Sequence, residues 1–294
     1  MVNTGHPIKP AQSDPQSYTI EELFIASKTG NAEDCEDAIY HGPHFVAVID
    51  GATTKTERRW NGLTGGRAGA LLLQKTFDTI PPDATASQAV HLLNTALQRY
   101  YEQQNASEIV QADPVQRITA STVILSLYRK EIWFVGDCQC LISEEHITNN
   151  KKIDSITANA RSLFLEAEIA QGKTIEDLRL HDTGRDFILP LLKRQLLFQN
   201  KPSTGQYWYP AIDGFYVPPE GIKVIPIPSK VETVILASDG YPVLKETLQE
   251  TEQALKEILH EDPLLFRKYK TTKGLQKSNI SFDDRAYIKI KLLS

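Results

Sequence analysis

"VILASDGYPVL", residues 234–244, runs as an apolar strand straight into an Asp and a Gly, and a second apolar segment begins at once. Two other stretches repeat the device. "VAVIDGATTK" (46–55) ends a strand on Asp50-Gly51, and "IWFVGDCQCL" (132–141) turns on Gly136-Asp137. An Asp at a strand end sits on the rim of a sheet, where water and ligand reach it. The Gly beside it lets a backbone carbonyl approach a ligand closely. A single strand-end Asp is ordinarily a turn former or a cap. Three strands that each deliver a carboxylate predict a shared site, so the fold has to gather their ends in one place.

The rest of the chain supplies the layers for such a fold. "HFVAVID" and "VETVILAS" read as buried strands, and "ITASTVILSLYRKEIWFVGD" as two strands joined in a hairpin at "YRKE". "DDRAYIKIKLL" alternates apolar and polar residues and closes the chain as a strand. "GLTGGRAGALLLQKTF" predicts a helix whose small-residue face packs closely on a sheet. "TASQAVHLLNTALQRYYEQQ" predicts an amphipathic helix with Val90, Leu93, Leu97 and Tyr100 along one face. "ETLQETEQALKEIL" reads as a further helix, with Thr247 and Glu250 spaced as a capping box. Between residues 149 and 228, "ARSLFLEAEIAQG" and "FILPLLKRQLLFQN" look helical, and "QYWYPAIDGFYVP" looks like a hairpin around Asp213-Gly214. Residues 1–17 read as a flexible lead to one domain over 18–294. Strands at both ends with helices between them give an α+β class.

Composition narrows the function. The 294 residues, 41% of them hydrophobic, are enough to bury a proper core. Net charge is −5 and no segment forms a basic stripe, which argues against nucleic acid as a partner; "FRKYKTTKG" reads as a solvated face. Cys35, Cys138 and Cys140 are an odd number in a long chain, which points to a reducing compartment. Cys138 and Cys140 alternate along a strand, face one way, and lack the second pair a zinc site needs. His41, His44, His146 and His181 show no ligand spacing. No apolar run reaches the roughly 20 residues that span a bilayer, and the polar N-terminus is no signal peptide, so a soluble, cytoplasmic protein is expected.

The carboxylates carry the chemistry. Asp50 and Asp239 follow apolar strands, Asp137 ends a hairpin strand, and Asp283 and Asp284 stand just before the last strand. Glu36 and Asp37 lie within one strand-pair of Asp50. Carboxylates with a carbonyl and waters form a hard-oxygen site suited to Mg2+ or Mn2+. Two such ions, roughly 3.5–4 Å apart, would clamp a water against a phosphorus.

The order of these motifs resembles that of the metal-dependent protein phosphatases of type 2C. "CEDA" (Glu36-Asp37), "VIDG", Ser121-Thr122 followed by Gly136-Asp137, "LASDG" and Asp283-Asp284 match five motifs in sequence across residues 20–294. The resemblance implies a four-layer αββα sandwich of two antiparallel sheets flanked by helices, with a binuclear Mg2+ or Mn2+ site at one end. It implies that Asp50 bridges the ions, Gly51 offers its carbonyl, and Asp239 and Asp283 hold the first ion. Glu36 or Asp37 would support the second ion through water, and Asp137 a third. It places a variable flap at about 149–228. It implies a phospho-Ser/Thr protein or a small phosphomonoester as substrate, with Asp50, Asp239 and Asp283 at the centre of catalysis.

Two departures stand out. The family's phosphate-gripping Arg, five residues before the first motif's Asp, is replaced by Ala32, and "ATTK" (52–55) stands where many members have His-Gly-Gly. Lys28, Lys55, Arg58 and Arg59 are the cations that remain nearby. The alternative is therefore a metal-binding regulatory module with the same fold and little turnover. A phosphotransferase, suggested by the likeness of "DGATTKT" to the phosphate loop of actin-like sugar kinases, would need a second strand directly after that loop. "ERRWNGLTGGRAG" cannot be one.

Overall fold

The computed structural model describes residues 17–293, so the lead read over 1–17 lies outside the described residues except for Ser17. Strand β1 (Tyr18–Ala26) is followed by β2 (Asp37–His41) and β3 (Phe45–Gly51). Next come α1 (Gly65–Thr76), α2 (Ala86–Gln103) and the short α3 (Ser107–Ala112). A run of β4 (Ala120–Ser126), β5 (Glu131–Val135), β6 (Gln139–Ile142) and β7 (Glu145–Ile147) leads to α4 (Lys152–Ala170), α5 (Ile175–Leu180) and α6 (Thr183–Arg194). The chain then forms β8 (Lys223–Pro226), β9 (Thr233–Ala237), α7 (Leu248–Glu261) and β10 (Arg285–Leu292).

The strands make two five-stranded sheets, ordered β1-β10-β9-β6-β7 and β2-β3-β4-β5-β8, and every pairing is antiparallel. Strand alternation assigns the layers. Val46 and Val48 of β3, Val123 and Leu125 of β4, and Ile132 and Phe134 of β5 meet Cys138, Cys140, Val234, Leu236, Ile288 and Ile290 in a dry layer between the sheets. Ala47, Ile49 and Trp133 point the other way, into α1 and α2. Ile235, Ala237 and Tyr287 point outward from the first sheet onto Leu255 of α7. The result is an αββα sandwich.

The local expectations behind this architecture hold. Helix α1 lies against β3 through its small residues: a Cβ on Gly66 would lie 2.7 Å from the Gly51 carbonyl oxygen, and one on Gly69 2.6 Å from Ile118. Val90, Leu93 and Leu97 of α2 are buried, with Tyr100 at the edge of the same core. The start of α7 is capped by Thr247, whose hydroxyl accepts the Glu250 N–H. The Glu250 carboxylate bonds that hydroxyl, not the Thr247 N–H, so the box is half formed.

One expectation fails. No hairpin forms around Asp213-Gly214; among the described residues no strand runs there. Asp213 is instead a buried anchor. Its carboxylate accepts bonds from Arg117 (3.0 Å), Gln199 (2.7 Å), Asn200 (3.0 Å) and the Phe215 N–H (3.0 Å). Burying a carboxylate requires such partners, and local pairing of the flanking residues would take them away. Residues 149–228 carry α4, α5 and α6 and then β8 (Lys223–Pro226), which joins the second sheet beside β5. Among the described residues, no helix is long and apolar enough to cross a membrane.

Candidate metal centre

The inter-sheet layer ends in a row of polar side chains. Asp37 of β2 pairs with Asp50 of β3, which pairs in turn with Ser121 of β4. Period-two alternation puts these three on the face that carries Ile39, Val48 and Val123 further along, so they continue the dry layer to its edge. From the facing sheet, Ser238 continues the inward row of Val234 and Leu236, and Asp239 follows it at the strand's end. The turn after β5 brings in the third element. Gly136 adopts φ +87°, and a Cβ there would lie 2.1 Å from the Ser121 hydroxyl, so only glycine lets the chain bend tightly enough. The Ser121 hydroxyl then donates to Asp137 at 2.5 Å.

Asp50, Asp137 and Asp239 thereby bring one carboxylate oxygen each within 4.8 Å of one another. Asp50 and Asp137 are half-buried, and Asp239 stands exposed on a cleft of about 360 Å³. Burial, with the charges of Asp37, Asp137 and Asp283, pushes the Asp50 carboxyl well above the usual carboxylate range. Asp239 is pushed the same way by burial and by Asp50, Asp137 and Asp283. Asp37 is raised by burial and by Asp284, Asp283 and Asp239, against the pull of the Ser238 hydroxyl; its Oδ2 is buried with no hydrogen-bond partner. A cluster this acidic must take up protons or a cation, because like charges so close cannot all stay ionised unaided. Its donors are hard oxygens throughout, and the orphaned Asp37 oxygen lacks a partner of its own, so the residues present fit Mg2+ or Mn2+.

Three lysines already answer part of the charge. Lys151, at the threshold of α4, contacts Asp137 at 2.7 Å. Burial alone would raise the Asp137 carboxyl, but Lys151 and the bonds from Lys151 and Ser121 outweigh it and hold it below its ordinary value. Lys273 contacts Asp283 at 2.5 Å. Lys28 sits 3.2 Å from Glu36, 3.1 Å from Asp284 and 4.0 Å from Asp283. Burial works against its charge, yet those three carboxylates keep it firmly protonated.

The expected site residues therefore divide. Asp50, Asp137 and Asp239 converge, and Asp283 lines the same cleft, held by Lys273. Asp37 stands beside Asp50 as its cross-strand partner and does not line the cleft. Glu36 is turned aside: its oxygens are taken by the Thr64 hydroxyl at 2.7 Å and by Lys28. Gly51 lines the cleft, but its lack of a side chain also serves packing, since a Cβ would lie 2.2 Å from the Gly66 carbonyl oxygen. Asp283 and Asp284, adjacent in sequence, face different ways. Asp284 is buried and clasps the backbone N–H groups of Lys28 (2.7 Å) and Glu36 (3.1 Å), tying the loop after β1 to the start of β10.

Several cleft residues escaped the sequence. Lys151, Asp154, Arg185 and Gln195 come from the inserted helices, and Lys270 and Lys273 from "FRKYKTTKG". That basic run is thus not wholly a solvated face: Leu264 and Phe266 pack against Leu165 and Leu178 of the insertion, which turns Lys273 inward. Of the four cations near the missing Arg, Lys28 is engaged by carboxylates, Arg58 stacks on Trp60 and bonds Gln116, and Arg59 is exposed. Lys55 alone lines the cleft.

No family model matches the chain, and no curated protein matches it. Solved structures do. The chain is similar to the Mycobacterium tuberculosis serine/threonine phosphatase PstP at 15% identity and a TM-score of 0.48, over 93% of this chain and 98% of that one. A structure of the PstP catalytic domain in complex with two manganese ions matches with the same identity and TM-score, over 93% and 97%. The serine/threonine phosphatase Stp1 from Staphylococcus aureus matches at 10% identity and a TM-score of 0.49, over 97% and 100%. In motif order and layer architecture the chain resembles the type 2C phosphatases. Identities and scores this low leave its function to be argued from its own geometry.

Proposed function

We propose that this protein is a metal-dependent phosphomonoester hydrolase acting on phosphoserine or phosphothreonine in proteins. The observation that carries the reading is the meeting of Asp50, Asp137 and Asp239, from three separate segments and both sheets, at the floor of one cleft. Asp50 and Asp239 would hold Mg2+ or Mn2+, with Asp283 beside them, Gly51 offering its carbonyl, and Asp37, rather than the engaged Glu36, reaching the site through water. Bound there, the metal would supply Lewis acidity toward a phosphoryl oxygen and lower the pKa of water. The chain's own contribution is to orient. Ser121 fixes Asp137 by its hydrogen bond, Asp37 adds its negative charge beside Asp50, and residues of α4 and α6 line one side of the cleft.

A second reading has an observation of its own. Ala32 stands where a phosphate-gripping Arg is expected, and Lys151 and Lys273 occupy Asp137 and Asp283. This favours a module that binds metal without turnover. Hydrolysis of an aryl phosphate with and without Mn2+ separates the two. Metal-dependent turnover abolished by Asp239→Ala supports the hydrolase. Metal binding without turnover on aryl phosphates or phosphopeptides supports the module.

A further inference from the structure

The cleft wall carries a pair of cations that the floor does not use. Lys55 follows β3 in the "ATTK" segment, and Arg185 lies in the first turn of α6, within the insertion; both are half-buried and both line the cleft. The other basic side chains there are engaged: Lys151 by Asp137, Lys273 by Asp283, Lys270 by the Asn159 amide oxygen. Among the described residues neither Lys55 nor Arg185 pairs with a carboxylate. The Lys55 ammonium has only the Thr53 carbonyl, at 3.5 Å, and Arg185 only the Thr272 carbonyl, at 2.8 Å.

Asp154 acts on both groups, and Asp283 and Asp182 on Arg185, without ion-pair contact; two like charges on one cleft wall with no carboxylate in contact cost free energy. The repulsion is felt: after burial, the charge of Arg185 is the largest influence lowering the Lys55 ammonium, to about 8. A fold keeps such a pair where an anion completes it. The anion must fit beside an acidic floor, so it must bring its own means of binding there. A phosphate group does so, with one oxygen free for a cation on the floor and others for the wall.

We propose that Lys55 and Arg185 together form the anchor for the phosphate of the substrate, so that the inserted segment supplies half of the anion site. The inference rests on the phosphomonoester reading. It differs from it in placing recognition on the 52–55 segment and on α6, not at position 32. One arm of the Arg185 guanidinium donates to the Thr272 carbonyl at 2.8 Å, and the rest of the fork is available to meet phosphate oxygens bidentately.

The test measures inorganic phosphate binding by calorimetry with Mg2+ present, alongside KM and kcat on an aryl phosphate. Lys55→Gln and Arg185→Ala should each weaken phosphate binding by roughly tenfold to a hundredfold, the usual weight of a charge-assisted bond. KM should rise in step where there is turnover. Arg185→Lys should recover part of the loss, and Arg59→Ala, at an exposed cation, should change nothing. Melting temperatures near that of wild type establish that the variants fold. Phosphate affinity unchanged in both Lys55→Gln and Arg185→Ala overturns the anchor, as does wild-type protein that binds no phosphate. The two ideas fail separately. Wild type that binds phosphate through these residues yet hydrolyses nothing refutes the hydrolase and keeps the anchor. Wild type that turns over while both variants retain its KM keeps the hydrolase and refutes the anchor.

Discussion

Replacing Asp50 with Asn should stabilise the metal-free protein and cripple metal binding, two opposite effects of one charge. An oxygen of Asp50 lies within 4.8 Å of one on Asp137 and one on Asp239, and each like-charge pair at that separation costs about 3.5 kcal/mol at an effective dielectric of about 20. The full sum is not available on mutation. Lys151 neutralises Asp137, and the raised pKa of Asp50 and Asp239 means protonation already relieves part of the repulsion near neutrality. A net gain of about 1–3 kcal/mol is expected, or roughly 2–10 °C in melting temperature for a chain of this size. The same substitution removes a proposed ligand, so Mn2+ affinity should fall by about a hundredfold or more, beyond the loss typical of outer-shell changes. Thermal melts in EDTA and calorimetric titration with Mn2+ read both effects. The pH dependence follows the same charge. Asp37, Asp50 and Asp239 have folded-state carboxyl pKa values above the ordinary value near 3.8, so the folded state holds protons that the unfolded chain has lost. Their contribution is therefore fully present below that ordinary value and is lost as pH rises through the raised ones. The metal-free protein should be more stable at pH 5 than at pH 8, with a shallower slope in Asp50→Asn, while Mn2+ affinity should rise with pH as protons cease to compete. An Asp50→Asn protein that melts lower in EDTA and binds Mn2+ like wild type would refute the reasoning.

Three further substitutions probe the surroundings. Asp213→Ala should cost about 3–5 kcal/mol in urea unfolding because it strands Arg117, buried and paired at 3.0 Å, and it should do so equally with or without metal. Gly51→Ala forces a Cβ to within 2.2 Å of the Gly66 carbonyl; a marked drop in melting temperature that no concentration of Mn2+ restores is expected, and a wild-type melt would contradict the packing described. Lys151→Met frees Asp137 from its ammonium, and Mn2+ should then bind about tenfold tighter, or with one more ion per chain, by calorimetry; weaker binding would show that Lys151 supports the site.

Strand-end carboxylates were legible in the sequence because alternation is a local property. Val46, Val48 and Asp50 share a face whatever the chain does elsewhere, and so do Asp37 and Ile39. The small-residue face of α1 and the buried stripe of α2 were legible for the same reason, since helical periodicity names a face before it names a partner. From these an α+β domain with strand-end carboxylates gathered in one site could be anticipated, while the two-sheet sandwich followed from the likeness of the motif order to the type 2C phosphatases. What only the tertiary structure decided were contacts between residues far apart in sequence. Asp283 and Asp284 look equivalent in the chain, yet Asp284 is consumed by backbone N–H groups 248 and 256 positions away while Asp283 faces the cleft. Glu36 stands next to Asp37 in the chain, yet the partners of its two oxygens, Thr64 and Lys28, come from elsewhere. "FRKYKTTKG" looked like solvated surface because charge along a segment does not say which lysine a distant apolar contact will turn inward. Asp213-Gly214 looked like a hairpin turn because three of the four donors to Asp213 come from two distant places, Arg117 and Gln199-Asn200, and only Phe215 is local. Periodicity along the chain can assign a side chain to a face. A charge or a hydrogen-bond donor finds its partner only in three dimensions: the sequence offered Lys55 as one of four nearby cations, and only the folded cleft set Arg185 on the same wall.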